Sequence, residues 1–485
     1  MKSVESVLSI LKNAPLTDTH LIYTSRLALR NLLRNNELMK QLGTKDWSDD
    51  DANHIAGVLV DVSSADAAIL LANFINNKSI PNEKIQLSYQ QIMRFIPANQ
   101  LDDVIAKAKS KETDIDLKLQ AYKGMKEGLA QRGGNVKAKL LEPWGKEIAE
   151  GLLTKYPASF KPISDEVTQQ QIFALQLASD LKIISLLPTT NSFLDPTVNV
   201  HTDLKMAALR TSLALTSDNS AVDFAGQLLS SDTTKLSLKK RVASMLGDFP
   251  SPSTNKVLAS MKKKSPDLEV VVATSLANSS EGKDIIFNQV RDGSFMLRTL
   301  IDPRVEERIL LNISAKQQKE YEALTANIEP INKERQTLID ERVKSLSNYK
   351  PTDVQLDSGQ MIYWANCGSC HRRLTESGIG PQLHGIGKRG AQALAEKIID
   401  PNRNISEAFR NYTIKLKDGK ILTGLYRREE GSVIIFGDLN GKEFSVSKKD
   451  IAEQKASRYT IMPDHFGTTL SEKEFSMLVA YLLTW

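Results

Sequence analysis

Both cysteines of the 485-residue chain lie in YWANCGSCHRRL, residues 363–374, three positions apart, and His371 follows the second directly. Cys-x-x-Cys-His is the attachment motif of c-type haem. Cys367 and Cys370 would each add across one haem vinyl group, sulfur to one carbon and hydrogen to the other, leaving two thioethers. A two-residue gap at a helical turn lets both sulfurs reach one edge of the macrocycle. The next side chain, His371, then points at the iron as an axial ligand. The expected cofactor is one covalent haem c. Other chemistries compete for the same five residues. A structural zinc site would need two more Cys or His ligands at suitable spacing; there is no third cysteine and the other histidines are isolated. A thioredoxin-like redox pair belongs after a strand in a βαβ unit, whereas these cysteines follow a helical pattern. A chance match would account for the five residues alone, so their context decides.

That context offers a second ligand. YTIMPDHFGTTLSEKEF puts Met462 before Pro463, in a turn ahead of the last helical stretch. A thioether opposite imidazole raises the reduction potential and suits electron transfer. The plain alternative is a methionine filling core space; His465, three residues on, is the next candidate ligand. GIGPQLHGIGKRG, residues 378–390, is too glycine-rich for an element and reads as a loop. Its carbonyls could accept from the outer nitrogen of His371 and set its tautomer. Arg389 could meet a haem propionate. His384 reads as a surface residue, and His20, His54 and His201 as structural ones.

The elements that must hold these groups divide the chain. Twelve of the 25 glycines lie in the first 350 residues and 13 in the last 135. The first part predicts mostly helix and the second many turns. THLIYTSRLALRNLL spaces Leu21, Leu27, Leu29, Leu32 and Leu33 on a helical face, and DDANHIAGVLVDV with ADAAILLANFI reads as an antiparallel pair. Leu213, Leu246 and Leu276, in AALRTSLAL, RVASMLGDF and VVATSLANS, recur at 33 and 30 residues. Each is followed by a second helical stretch, which suggests paired-helix repeats of the HEAT kind over 1–313, an α-solenoid; an irregular helical bundle is the alternative. Residues 314–350 read as a charged helical linker with a solvated face, broken at Pro330. The remainder, 351–485, opens and closes with helices. Between about 411 and 451 the pattern turns to period two, with Asp418-Gly419 and Asn440-Gly441 as hairpin turns, which predicts a small antiparallel meander of about four strands.

Composition excludes some classes. Apolar residues make 41% and charged residues 25%, with a formal net charge of +5, as in a globular protein rather than a nucleic-acid binder. No run of about 18 apolar residues is long enough to span a membrane. The N-terminus MKSVESVLSILKNAPLTDTH lacks a signal peptide's apolar core and cleavage site. By itself it reads as cytoplasmic, or equally as a mature chain or a fragment.

The tail resembles a class I cytochrome c. Gly359 and Tyr363 precede Cys367-Gly-Ser-Cys370-His371, GPQLHGIGKR follows, and MPDHFGTTLSEKEFSMLVAYL closes the chain. The resemblance implies that Gly359 and Tyr363 pack the first helix on the last, with Tyr481 at the contact. It implies that the Pro381 carbonyl holds the proximal histidine, Leu383 covers the haem, Arg389 lies near a propionate and Met462 is the second ligand. DPNRNI followed by NYTIKLKDGKILTGL, inserted before the ligand loop, is similar to the haem-binding cytochrome domains common in Planctomycetes, Verrucomicrobia and Bacteroidetes. In that family the cytochrome ends a longer exported chain with helical repeats and often a β-propeller resembling sugar or quinoprotein dehydrogenases. No propeller is legible here. The family implies a mainly α protein: an N-terminal α-solenoid, then an all-α cytochrome c domain with a small β insertion. It implies a periplasmic or cell-envelope location.

The expected function is therefore electron transfer with a redox partner protein, such as a dehydrogenase, rather than catalysis by this chain. A haem enzyme or gas sensor with a displaceable sixth ligand, and a helical-repeat interaction scaffold, are the competing expectations.

Overall fold

The computed structural model describes all residues except 133–137, 162–163, 217–218, 262–263, 327–330, 372–377, 404 and 439–442. The protein is mainly helical with one small antiparallel sheet near the C-terminus. The chain divides into two compact units, Met1–Ser217 with Glu430–Val433, and Asp218–Glu429 with Ile434–Trp485.

The first unit is a succession of helices from Lys2–Asn13 to Thr202–Leu215. Their starts are set locally. Asp18, Asn35, Ser48, Ser64, Asp114 and Ser164 each accept from a backbone N–H of the first turn, satisfying donors the helix itself leaves free. Neighbouring and next-but-one helices pack together, as Ile85–Phe95 does on Ile115–Gln131 and Asp165–Asp180 on Thr202–Leu215. The helix Thr19–Leu32 buries Ser25 and Leu29, whereas Leu21 is exposed. The buried face is thus narrower than the leucine pattern suggested.

The second unit has its own succession of helices, from Asn219–Ser230 to Pro303–Leu310. Leu213, Leu246 and Leu276 are all buried. Ala315–Thr325 and Ile331–Ser347 follow; Pro330, where a break was expected, lies outside the described residues. The second of these helices is packed, not bare. Ile339 and Leu346 are buried in one core with the helices Gly390–Ile399 and Glu472–Leu483, and Leu338 and Val343 lie against it. Arg342 donates to the carbonyls of Gly467 and Leu470 at 3.0 and 3.1 Å. The segment looked like a linker because its apolar residues are few among many charges, and only a partner surface shows which face is covered.

The sheet has five strands where about four were expected: β1 Asn411–Leu416, β2 Ile421–Glu430, β3 Val433–Gly437, β4 Glu443–Ser447 and β5 Ile451–Ala456. The order is β4-β3-β2-β1-β5. β1 pairs antiparallel with both β2 and β5, with a register shift between Lys415 and Leu416 on the β5 side. β5, IAEQKA, is almost wholly exposed, so it carries no apolar alternation to reveal it; a polar edge strand is common. The β1–β2 turn is the expected one: Gly419 takes φ +87° and Asp418 accepts from Lys420 N at 3.0 Å. Asn440 and Gly441 lie outside the described residues. Ile414, Ile434, Phe436 and Val446 form the sheet's own small core.

Candidate functional site

The helix Asp353–Asn366 delivers the cysteines. Thr352 and Gln355 form a capping box at its start. Gly359, one turn before Tyr363, lets this helix cross the C-terminal helix closely. A Cβ there would stand 2.2 Å from the Met477 carbonyl oxygen. Tyr363 is fully buried, its ring edge-on to Trp485 at 4.9 Å and tilted against Tyr481 at 6.0 Å. The helix ends in a tight turn: Cys367 N and Gly368 N both donate to the Tyr363 carbonyl, at 2.7 and 3.0 Å.

Three further bonds fold CGSCH into one unit. Cys370 N and His371 N donate to the Cys367 carbonyl at 3.1 and 2.9 Å, and the Tyr363 hydroxyl donates to the His371 carbonyl. Both cysteines are free thiols and half-buried. Burial, and then the neighbouring Cys370, push the Cys367 thiol up to about 12.

His371 is buried at 9% exposure, and its Nδ1 lies 2.9 Å from the Pro381 carbonyl oxygen. Burial holds the imidazole below its ordinary value despite the opposing hydrogen bond. The neutral ring with its proton on Nδ1 satisfies that bond, and Nε2 is then the nitrogen left to bind a metal. Gly380 lies against the ring: a Cβ on it would stand 2.7 Å from Cε1. Gly380 N donates to the Cys370 carbonyl at 3.0 Å, closing the loop back on the motif.

Of the residues singled out from the sequence, the structure joins Cys367, Cys370, His371 and Pro381 in this one turn and loop. Leu383 lies half-buried against the core of Ile398, Phe475 and Tyr481. Arg389 and His384 are exposed. Met462 is half-buried in the loop after β5, its N–H 3.4 Å from the Thr460 hydroxyl. His465 follows in that loop, its ring 4.6 Å from that of Phe466. His201 caps its helix, accepting from Asp203 N at 3.3 Å.

Sequence reasoning missed what holds the two loops. Asp464, two residues after Met462, has a side chain only 7% exposed and meets Arg304 at 3.0 Å and also Arg335. Arg427 on β2 donates to the carbonyls of Ile379 and Gly378, each at 3.3 Å. These partners lie 48 to 160 residues away in sequence, and no local spacing signals them.

Two thiols share one turn, and a buried neutral imidazole has one nitrogen already engaged and a glycine against its face. Among the described residues no group of three or more His, Cys, Asp or Glu is placed to hold a metal ion on its own, and no helix is long and apolar enough to cross a membrane.

No family model matches the chain, and no curated protein is similar to it. Among solved structures, the complex of CpcE and CpcF of phycocyanin lyase from Nostoc sp. PCC7120 is similar over 60% of this chain and 94% of that chain, at 12% identity and a TM-score of 0.24.

Proposed function

We propose that this chain is a c-type cytochrome electron-transfer protein, with one haem c anchored by Cys367 and Cys370 and ligated by His371 and Met462. The observation that carries the reading is the Pro381 carbonyl 2.9 Å from Nδ1 of a buried His371 directly behind two free thiols. Bound haem would supply a reversible one-electron Fe(III)/Fe(II) couple. The chain's residues do the rest. The thiols anchor, the Pro381 carbonyl orients the imidazole and raises its basicity, and the packed helices around Tyr363 keep the turn rigid. Arg389, exposed beside the loop, would pair with a propionate, and Leu383 would cover the ring. The helices of residues 1–313 would form a HEAT-like array that docks a redox partner, such as a sugar or quinoprotein-type dehydrogenase, in the periplasm or cell envelope.

The test is expression with an export signal and c-type maturation machinery, then spectra before and after denaturing extraction of free haem. Haem that stays attached, with the sulfur-to-iron band in the oxidised form, supports Cys367, Cys370, His371 and Met462 together. Attached haem without that band removes Met462; carbon monoxide binding to the reduced protein would then favour a haem enzyme or gas sensor. No attached haem sinks the proposal.

A second reading, a helical-repeat interaction scaffold, is favoured by the succession of helices within each of the two units. Replacing Cys367 and Cys370 together by alanine in the otherwise intact chain separates the two, because residues 351–485 share a core with Ile339 and Leu346 and cannot be deleted cleanly: retained partner binding together with the retained physiological role would favour the scaffold.

A further inference from the structure

We infer that Arg427 is a positioning residue for the His371 imidazole, and that the inserted sheet braces the loop that orients it. The inference rests on the haem reading above.

The observations form a continuous chain. The Arg427 guanidinium spans two consecutive carbonyls, Gly378 and Ile379, at 3.3 Å each. A planar fork that meets two acceptors fixes orientation as well as position. On the next strand, Gly437 is pressed against the buried Ile379: a Cβ there would stand 2.5 Å from Ile379 Cδ1. The loop is thus gripped through its carbonyls by β2 and through its side chain by β3. The two residues that follow act on the imidazole, Gly380 against its face and Pro381 through its carbonyl. A shift of Ile379 therefore reaches the hydrogen bond on Nδ1 within two residues.

That bond has an electronic consequence. A carbonyl accepting from Nδ1–H makes the imidazole a stronger donor at Nε2 and favours the higher oxidation state of a bound metal. Loosening the loop weakens the bond and should raise the reduction potential.

The test uses the full-length, haem-loaded chain and reads midpoint potential, haem retention and thermal unfolding together. Arg427→Ala should keep its haem yet raise the reduced-to-oxidised ratio at a fixed potential about three- to tenfold; tenfold is 59 mV for one electron. Arg427→Lys, with one compact donor, should fall between. Gly437→Ala, which displaces Ile379 directly, should also move the potential. Lys448→Ala is the charge-matched control, since Lys448 pairs with Glu429 at 2.7 Å and leaves in place both Arg427 and the Glu443 that lies 3.7 Å from its Nε; it should leave the potential unchanged. A lower unfolding temperature with an unmoved potential in Arg427→Ala would make the contact merely structural and overturn the inference. If that variant does not fold, Arg427→Lys and Gly437→Ala decide by the same criterion. Wild-type protein without attached haem would defeat the cytochrome reading itself, and this inference with it.

Discussion

The loop behind His371 and the loop that carries Met462 are held by different physics. The first, residues 378–381, is gripped by hydrogen bonds to neutral acceptors and by shape: two carbonyls accept from Arg427, whose guanidinium also lies 3.7 Å from Glu443, and Ile379 lies against Gly437. The second, residues 460–465, is held by charge. Asp464 lies between Arg304 and Arg335, which also meet Asp302 and Asp400, and Asn402 accepts from Thr460 N at 3.0 Å. Shape fixes a position finely and tolerates salt. A buried ion cluster is robust while complete but costly to leave half-made. The histidine side should therefore vary by small shifts, and the methionine side by all-or-none release.

The largest expected effect breaks the second arrangement. Asp464→Asn leaves two arginines without their shared carboxylate and should cost about 3 kcal/mol, read by urea unfolding. In haem-loaded protein the sulfur-to-iron band should weaken while haem stays attached. A loss below about 0.5 kcal/mol would mean the loop is held some other way. Next, Gly359→Ala forces apart the two helices beneath the cysteine turn, since its Cβ meets the Met477 carbonyl at 2.2 Å. Overpacking of this kind should cost about 2 kcal/mol. It should lower the unfolding temperature and leave the Asp464 loop's band in place, which separates general loosening from release of one loop. The smallest effect is Tyr363→Phe, which removes the hydroxyl that donates to the His371 carbonyl. It should cost about 1 kcal/mol and leave the Nδ1 bond to Pro381 intact, so the potential should move less than in Arg427→Ala. An equal or larger shift would place the histidine's main restraint on its backbone rather than on its ring.

The misreadings of the sequence have a common cause. β5 was missed because an exposed edge strand has no apolar face to alternate. The helix Ile331–Ser347 looked like a spacer because its buried residues are sparse among charges. Both signals exist only relative to the surface they lie against. The Asp418-Gly419 turn and the helix caps were legible because each is settled within three or four residues.

The same division runs through the candidate site. The spacing of Cys367, Cys370 and His371 is local, so the sequence by itself determined that two thiols and an imidazole share one turn. It also determined that a glycine-rich loop follows and that a methionine precedes the last helix. Tertiary structure alone decided that β2 supplies the arginine gripping residues 378 and 379. It alone decided that Asp464 sits between arginines 129 and 160 residues distant. Contacts at that separation depend on how helices and strands stack, and a guanidinium has no partner that its own neighbours in sequence can announce.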